Sequence, residues 1–360
     1  MNCCVNCFLD EEIRGIIVGQ GTIGDCDFCG SNGLNVYDIN DSKKIISELL
    51  YSLVSVYTTV NALPSNFKKE DTDLLKNILH RDWNIFNLSP QEIYRLIINI
   101  CCDKYKETPE LFDAPIGLSQ LMDSEYLISN SLLKNYVWET FVTSIKNENR
   151  FHSDHFNKEI LKTVVSHARK KYAAGETFYR ARISTSKQGY AKDEMWSPPS
   201  SLAKAGRVNS EGISVLYLAN SIDTAVYEVR AGRYDYICIG TFELLEDIEI
   251  ISFDLLKTIS PFIYLEGDNI LQLAVNLPHI TRLVQDVARP LRRYDSTLDY
   301  IPTQYLSDFV KSESGISGIT YRSSMAEDGI NVAAFDSSKF RCTGVKVLEI
   351  RGLQYDWKEL

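Results

Sequence analysis

The spacing of apolar residues divides the chain into three textures. Residues 1–38 show little helical periodicity, and the stretch GQGTIGDCDFCGSNG is dense in turn formers, which predicts a small irregular module. From Asp41 to about Asn147, apolar side chains recur at three and four spacing in IISELLYSLVSVY, DLLKNILHRDW, SPQEIYRLIINICC and NSLLKNYVWETFVTSI. Amphipathic helices packed as a bundle are therefore expected over 39–150. Ser89, followed by Pro90 and Glu92, predicts a capped helix start. Past Gly175 the pattern shifts to short runs rich in Tyr, Ile, Val and Phe: TFYRARIS, ISVLYLAN, YDYICIGTFEL, IEIISF, GITYRSS, INVAAF and VKVLEIRG. These strands alternate with helical SIDTAVYEVRA and NILQLAVNLPHITRLVQDVAR, so an α+β domain is expected over 165–360. Asp328-Gly329 between two of the strands predicts a turn.

At 360 residues the chain is long for one domain, which agrees with two or three units. The formal net charge of −10 leaves no excess of Lys and Arg to neutralise a phosphate backbone, which disfavours nucleic acid as a partner. No apolar run approaches the roughly 20 residues that span a bilayer. The N-terminus MNCCVNCF lacks the basic and apolar regions of a signal peptide. A soluble, cytoplasmic protein with no membrane partner is the expectation.

Five of the nine cysteines fall within the first 29 residues. Cys4-x-x-Cys7 and Cys26-x-x-Cys29 are separated by eighteen residues, a spacing that lets two knuckles bring four thiolates to the corners of a tetrahedron. Zn²⁺ suits that donor set, and four thiolates leave no vacant position, so the metal would be structural. Cys3 is an alternative ligand to Cys4, and a set of free thiols or a redox pair is the competing interpretation. Residues 1–35 carry one basic residue, Arg14, against five acidic ones, which favours a folding staple over a nucleic-acid contact. Cys101, Cys102, Cys238 and Cys342 read as small hydrophobes.

In FYRARI the strand period places Phe178, Arg180 and Arg182 on one face, so two guanidinium groups would share it. An inward pair suits an anionic ligand, and an outward pair suits solvent. Gly206-Arg207-Val208-Asn209 offers another cation on a flexible loop. Tyr217 emerges from an apolar strand face, where its ring would stack on a flat group or simply join the core. Ser221 reads as the N-cap of a helix from Ile222 to Ala231 that carries Glu228, with no cation at helical spacing to pair with it. Ser323 is the serine of YRSS expected to look inward. None of the five histidines has a triad context, so hydrogen bonding suits Ser323 better than nucleophilic attack. Arg150 and His155 match a loose R-x4-H pattern found in ribonucleases built on HEPN bundles, a pattern short enough to arise by chance.

The order Arg180, Arg207, Tyr217, Glu228, Ser323 resembles the RES domain, carried by FYRAR, GRVNSEGISVLYLANSIDTAVYE and YRSSMAEDGINVAAF. The arginine loop departs from it, reading GRVNSEG where members often read GRW-N-P-x-G. The first half of the chain resembles the HEPN/RES N-terminal extension. The resemblance implies a fold related to ADP-ribosyltransferase toxins and an NAD⁺ phosphorylase or NAD⁺ glycohydrolase activity, as the toxic half of a toxin–antitoxin or phage-defence system. NAD⁺ would be the substrate, inorganic phosphate a possible co-substrate, and an antitoxin or regulatory protein the partner. It further implies that Arg180, Tyr217, Glu228 and Ser323 are catalytic, and that Arg180, Arg182, Arg207, Tyr217 and Ser323 hold the dinucleotide. Glu228 would stabilise positive charge on the ribose as nicotinamide leaves. Two alternatives stay open: an ADP-ribosyltransferase acting on a protein, and a HEPN-type ribonuclease using His155.

Overall fold

Strand-forming segments of the second half of the chain assemble into one mixed sheet, seen in a computed structural model that describes residues 1–40, 44–263, 267–289, 296–353 and 357. The expected start of the helical region at Asp41 and the last residues of the 165–360 span lie outside the described residues. The chain divides into two compact units. The first comprises residues 1–138, 154–161 and 257–280, and the second residues 139–153, 162–256 and 281–360.

The first unit mixes helices with two small sheets. Asn2–Cys4, Leu34–Asp38 and Ile23–Gly24 form one antiparallel set, and Thr58–Thr59, Pro115–Gly117 and Asp73–Leu74 form another. The supposedly irregular module contains a helix, Glu11–Gln20, capped by the Asp10 carboxylate accepting from the Ile13 amide and closed by Gly21 at φ 67°. The expected helix at Ser89 is present as Pro90–Ile100, with the full reciprocal cap between Ser89 and Glu92. It buries Ile93, Leu96, Ile97 and Ile100 on one face. The long helix expected over residues 130–145 is interrupted. Ser124–Asn130 is helical, Tyr136 turns to φ 55°, and helix resumes only at Trp138–Asn147.

Among the described residues, eight strands build the sheet of the second unit: β1 (Arg169–Tyr172), β2 (Thr177–Ser184), β3 (Leu216–Ala219), β4 (Tyr236–Leu244), β5 (Ile248–Ser252), β6 (Ile316–Arg322), β7 (Ile330–Ala334) and β8 (Phe340–Glu349). Their order is β8-β4-β2-β3-β7-β6-β5-β1, with β5 and β6 parallel and the other neighbours antiparallel. Alternation gives the sheet two apolar faces. Phe178, Leu216, Leu218, Cys238, Phe242, Val332 and Phe340 pack on one. Ala181, Ala219, Ile237 and Ile239 pack on the other against helix α1 (Ile222–Glu228). Helix α2 (Ile301–Ser312) lies against β6. The architecture is mixed α+β, and no described helix is long and apolar enough to cross a membrane.

Candidate functional site

The second unit opens a cleft of about 350 Å³ where β2 and β3 part. Those strands pair at Tyr179 with Ala219. Tyr179, Arg180 and Ala181 all line the cleft, although consecutive strand residues face opposite ways. The parting resolves this conflict. The main-chain oxygen of Tyr217 accepts from Arg180 Nη1 at 3.2 Å, so the guanidinium occupies the gap between the strands.

Arg180 is the least compensated charge of the site. Burial pulls its guanidinium down to about 10, the nearby Arg182 charge adding and Tyr217 opposing, so it stays protonated at neutral pH. Its Nε is buried without a hydrogen-bond partner, and among the described residues no carboxylate lies within ion-pair distance. A buried cation left in this way favours an anion strongly.

The Gly206–Asn209 loop covers one wall. Asn209 is its organiser: Nδ2 donates to the main-chain oxygens of Lys204, Ser210 and Ile213, and Oδ1 accepts from the Tyr217 hydroxyl at 2.6 Å. Gln304 on α2 donates to the oxygens of Gly206 and Asn209, and Thr303 donates to that of Arg207. Arg207 lies 5.5 Å from the centre of the Tyr321 ring. The Tyr217 hydroxyl also accepts from the Val208 amide, so it is engaged within the wall of the cleft. Burial raises the Tyr217 and Tyr321 phenols, which stay neutral. A Cβ on Gly206 would sit 2.4 Å from Asn209 Oδ1 and 2.6 Å from Tyr217 Oη, so neither oxygen could keep its place. Gly206→Ala is expected to lower stability by about 2 kcal/mol through this overpacking. Thermal unfolding of the variant measures it, and an unchanged melting temperature contradicts this role of Gly206.

Glu228 ends α1, whose N-cap is Ser221 accepting from the Thr224 amide at 3.1 Å. The helix stops at Glu228 rather than at Ala231 because Arg230 turns to φ 50°. Glu228 Oε1 accepts from Ser323 Oγ at 2.6 Å and from Asn331 Nδ2 at 2.7 Å. Ser323 Oγ itself accepts from the amides of Met325 and Ala326, at 3.1 and 3.2 Å. A hydroxyl has one hydrogen and two lone pairs, and all three are used. In this arrangement the Ser323 hydroxyl holds Glu228. Glycine at position 329 allows this, since a Cβ there would lie 2.9 Å from the side chains of Ser323, Ala326 and Thr224.

Five of the expected residues thus fall in one place: Arg180, Arg207, Tyr217 and Glu228 line the cleft, and Ser323 stands behind Glu228. Arg182 does not join them. It lies beyond the parting of the strands, where Nη1 donates to the Glu194 main-chain oxygen and the guanidinium covers the Tyr190 ring at 4.1 Å. Arg150 and His155 lie in a stretch, 150–155, that forms no helix, and neither lines the cleft. Arg150 Nε donates to the Ile145 oxygen. None of the five histidines lines the cleft. Sequence reasoning missed Asn331, Tyr179, Tyr300 and Tyr321 as cleft residues, and Asn209 as the organiser of its wall. A polar residue inside the apolar strand INVAA was the available signal for Asn331.

In the first unit Cys4, Cys7, Cys26 and Cys29 bring their sulfurs within 4.8 Å of one another. The Cys4–Cys29 and Cys7–Cys26 separations are 3.4 Å and the Cys4–Cys7 separation 3.9 Å. Tetrahedral thiolates at a zinc–sulfur distance of about 2.3 Å would lie about 3.8 Å apart, so the cluster fits a metal ion. Cys3 is directed away by strand alternation, its sulfur meeting the Tyr37 oxygen, which leaves the position to Cys4. The amides of Phe28 and Cys29 donate to Cys26 Sγ. Burial and the neighbouring thiols hold Cys4 up at about 11. Burial acts the same way on Cys29, but hydrogen bonding with Ser31 outweighs it and pulls that thiol down to about 6.

No curated protein and no solved structure matches the chain. Residues 177–358 match the RES domain, from the start of the arginine strand to beyond β8. With that match covering half of its length, the chain belongs to the RES domain family.

Proposed function

We propose that the cleft binds NAD⁺ and cleaves its nicotinamide–ribose bond. The observation that carries this is that two charges without an ion-pair partner among the described residues line one cleft: the buried Arg180 guanidinium, whose Nε has no hydrogen-bond partner, and the Glu228 carboxylate, held by one oxygen. Arg180, with Arg207, would hold the diphosphate or an incoming inorganic phosphate. The rings of Tyr217 and Tyr321 would pack on the flat nicotinamide. Glu228 Oε2 would accept from a ribose hydroxyl and stabilise the cationic sugar as the C–N bond breaks. The bonding electron pair leaves with the nicotinamide nitrogen, which becomes neutral, so no general acid is needed. Phosphate or water then attacks the anomeric carbon and gives up a proton. That chemistry suits a cleft with no histidine in its lining.

The parted β2 and β3 around an arginine, with a glutamate lining the same cleft, support a relation to the ADP-ribosyltransferase toxin fold. In the first unit Cys4, Cys7, Cys26 and Cys29 would hold Zn²⁺ as a folding staple, and the helical segments there are the proposed counterpart of a HEPN-type extension. An enzyme that drains NAD⁺ is toxic to the cell that makes it, which calls for a neutralising partner protein and a role in toxin–antitoxin or phage-defence systems. Incubation with NAD⁺, with and without phosphate, followed by mass identification of products, tests the activity. Free nicotinamide with ribose 1-phosphate chemistry on the other product indicates phosphorolysis, and ADP-ribose indicates hydrolysis. Label carried onto a macromolecule would make the chain a transferase, and intact NAD⁺ under all conditions would refute the proposal.

A further inference from the structure

We infer that Asn331 is a positioning residue that sets which oxygen of Glu228 faces the ligand, a role that rests on the proposed NAD⁺-cleaving cleft. Asn331 is 4% exposed and sits in β7, with Tyr321 of β6 paired on one side and Ala219 of β3 on the other. Its backbone is thereby fixed from both directions in the middle of the sheet. A carboxylate only accepts, so the side-chain amide must turn Nδ2 toward Glu228, and the 2.7 Å contact to Oε1 is that hydrogen bond. Ser323 Oγ reaches the same oxygen at 2.6 Å from the loop after β6. Two donors on Oε1 fix the plane of the carboxylate, and among the described residues Oε2 has no partner. The oxygen left open belongs to a residue that lines the cleft, as Asn331 does too. Of the two holds, Asn331 is the rigid one. Ser323 belongs to a loop that turns through Asp328 at φ 57°, whereas Asn331 is bound into its ladder.

Two variants separate this from a packing role. Asn331→Ala removes the donor, and Asn331→Asp keeps the shape but turns a second carboxylate toward Glu228. For Asn331→Ala the expected result is a loss of about 10- to 100-fold in kcat with KM for NAD⁺ nearly unchanged, the worth of one hydrogen bond to a charged group. Asn331→Asp should lose more, because like charges would then face each other across that contact. Crystal structures of the wild-type chain and of Asn331→Ala form the second arm, with Glu228 expected to swing away from Ser323 only in the variant. An unchanged kcat, or a Glu228 carboxylate that keeps its orientation in the variant, overturns the inference. If the wild-type chain leaves NAD⁺ intact, the proposed reaction fails while the structural arm still decides whether Asn331 positions Glu228.

Discussion

Glu228→Gln is expected to abolish nicotinamide release, by on the order of 10³-fold or more in kcat, while the chain keeps its melting temperature. Glutamine preserves the shape of the site. Its carbonyl oxygen can still accept from Ser323 and Asn331, the two donors that now share Oε1. What changes is the other branch, where a neutral NH₂ replaces the open carboxylate oxygen. The negative charge that would balance the developing sugar cation is then gone, together with an acceptor for a ribose hydroxyl. Binding should suffer less than chemistry, because the guanidinium groups of Arg180 and Arg207 are untouched and ground-state NAD⁺ carries its anionic charge on the diphosphate. A kcat within a few fold of the wild type would remove Glu228 from the mechanism.

Removal of metal is expected to unfold the N-terminal module, the second large effect. Structural zinc sites with this ligand set contribute on the order of 10 kcal/mol of folding free energy, more than so small a module could supply from its own core. The cluster ties Cys4, at the end of Asn2–Cys4, and Cys7, at the end of the turn Val5–Cys7, to Cys26 and Cys29 beyond the Glu11–Gln20 helix. Without a cation, four sulfurs packed this closely would leave thiols such as Cys4, held up at about 11, buried and protonated. Cys26→Ser or a strong chelator should therefore abolish hydrogen-exchange protection in Asn2–Cys4 and Leu34–Asp38 and lower the melting temperature. Metal affinity should fall as pH falls, since each thiol must lose its proton to bind. Protein purified with no bound metal and the same protection would show the cysteines to be free thiols.

The sheet was largely legible because its strands alternate and the edges are marked by turn residues. TFYRARIS coincides with β2, and the Asp328-Gly329 pair joins β6 to β7 in a hairpin. The short β1, RKKY, was not, since three of its four residues are cationic and give no apolar alternation. Helix α2 was missed for a different reason. It buries Thr303, Gln304 and Ser307, polar side chains that donate to main-chain carbonyls, among Ile301, Leu306 and Val310, so the apolar stripe of its inner face is broken by polar positions. The Glu11–Gln20 helix was hidden by Gly15 and Gly19, which weaken any helical signal, while its Asp10 cap was there to be read. At the site, Tyr217, Glu228 and Ser323 follow from strand period and helix start. Arg182 does not, because period alone cannot register that β2 parts from β3 at Arg180 and sends neighbouring arginines to different surroundings. Asn331 hides in an apolar strand, and its meaning appears only when Glu228, 103 positions earlier, is brought to it.

The most direct test of the cleft as the NAD⁺ site is a crystal structure of the Glu228→Gln chain soaked with NAD⁺. A diphosphate or phosphate oxygen is expected on the Arg180 guanidinium, with the nicotinamide ribose hydroxyls at hydrogen-bond distance from the side chain at 228. NAD⁺ bound elsewhere on the chain, or a cleft that stays empty at saturating NAD⁺, would contradict it.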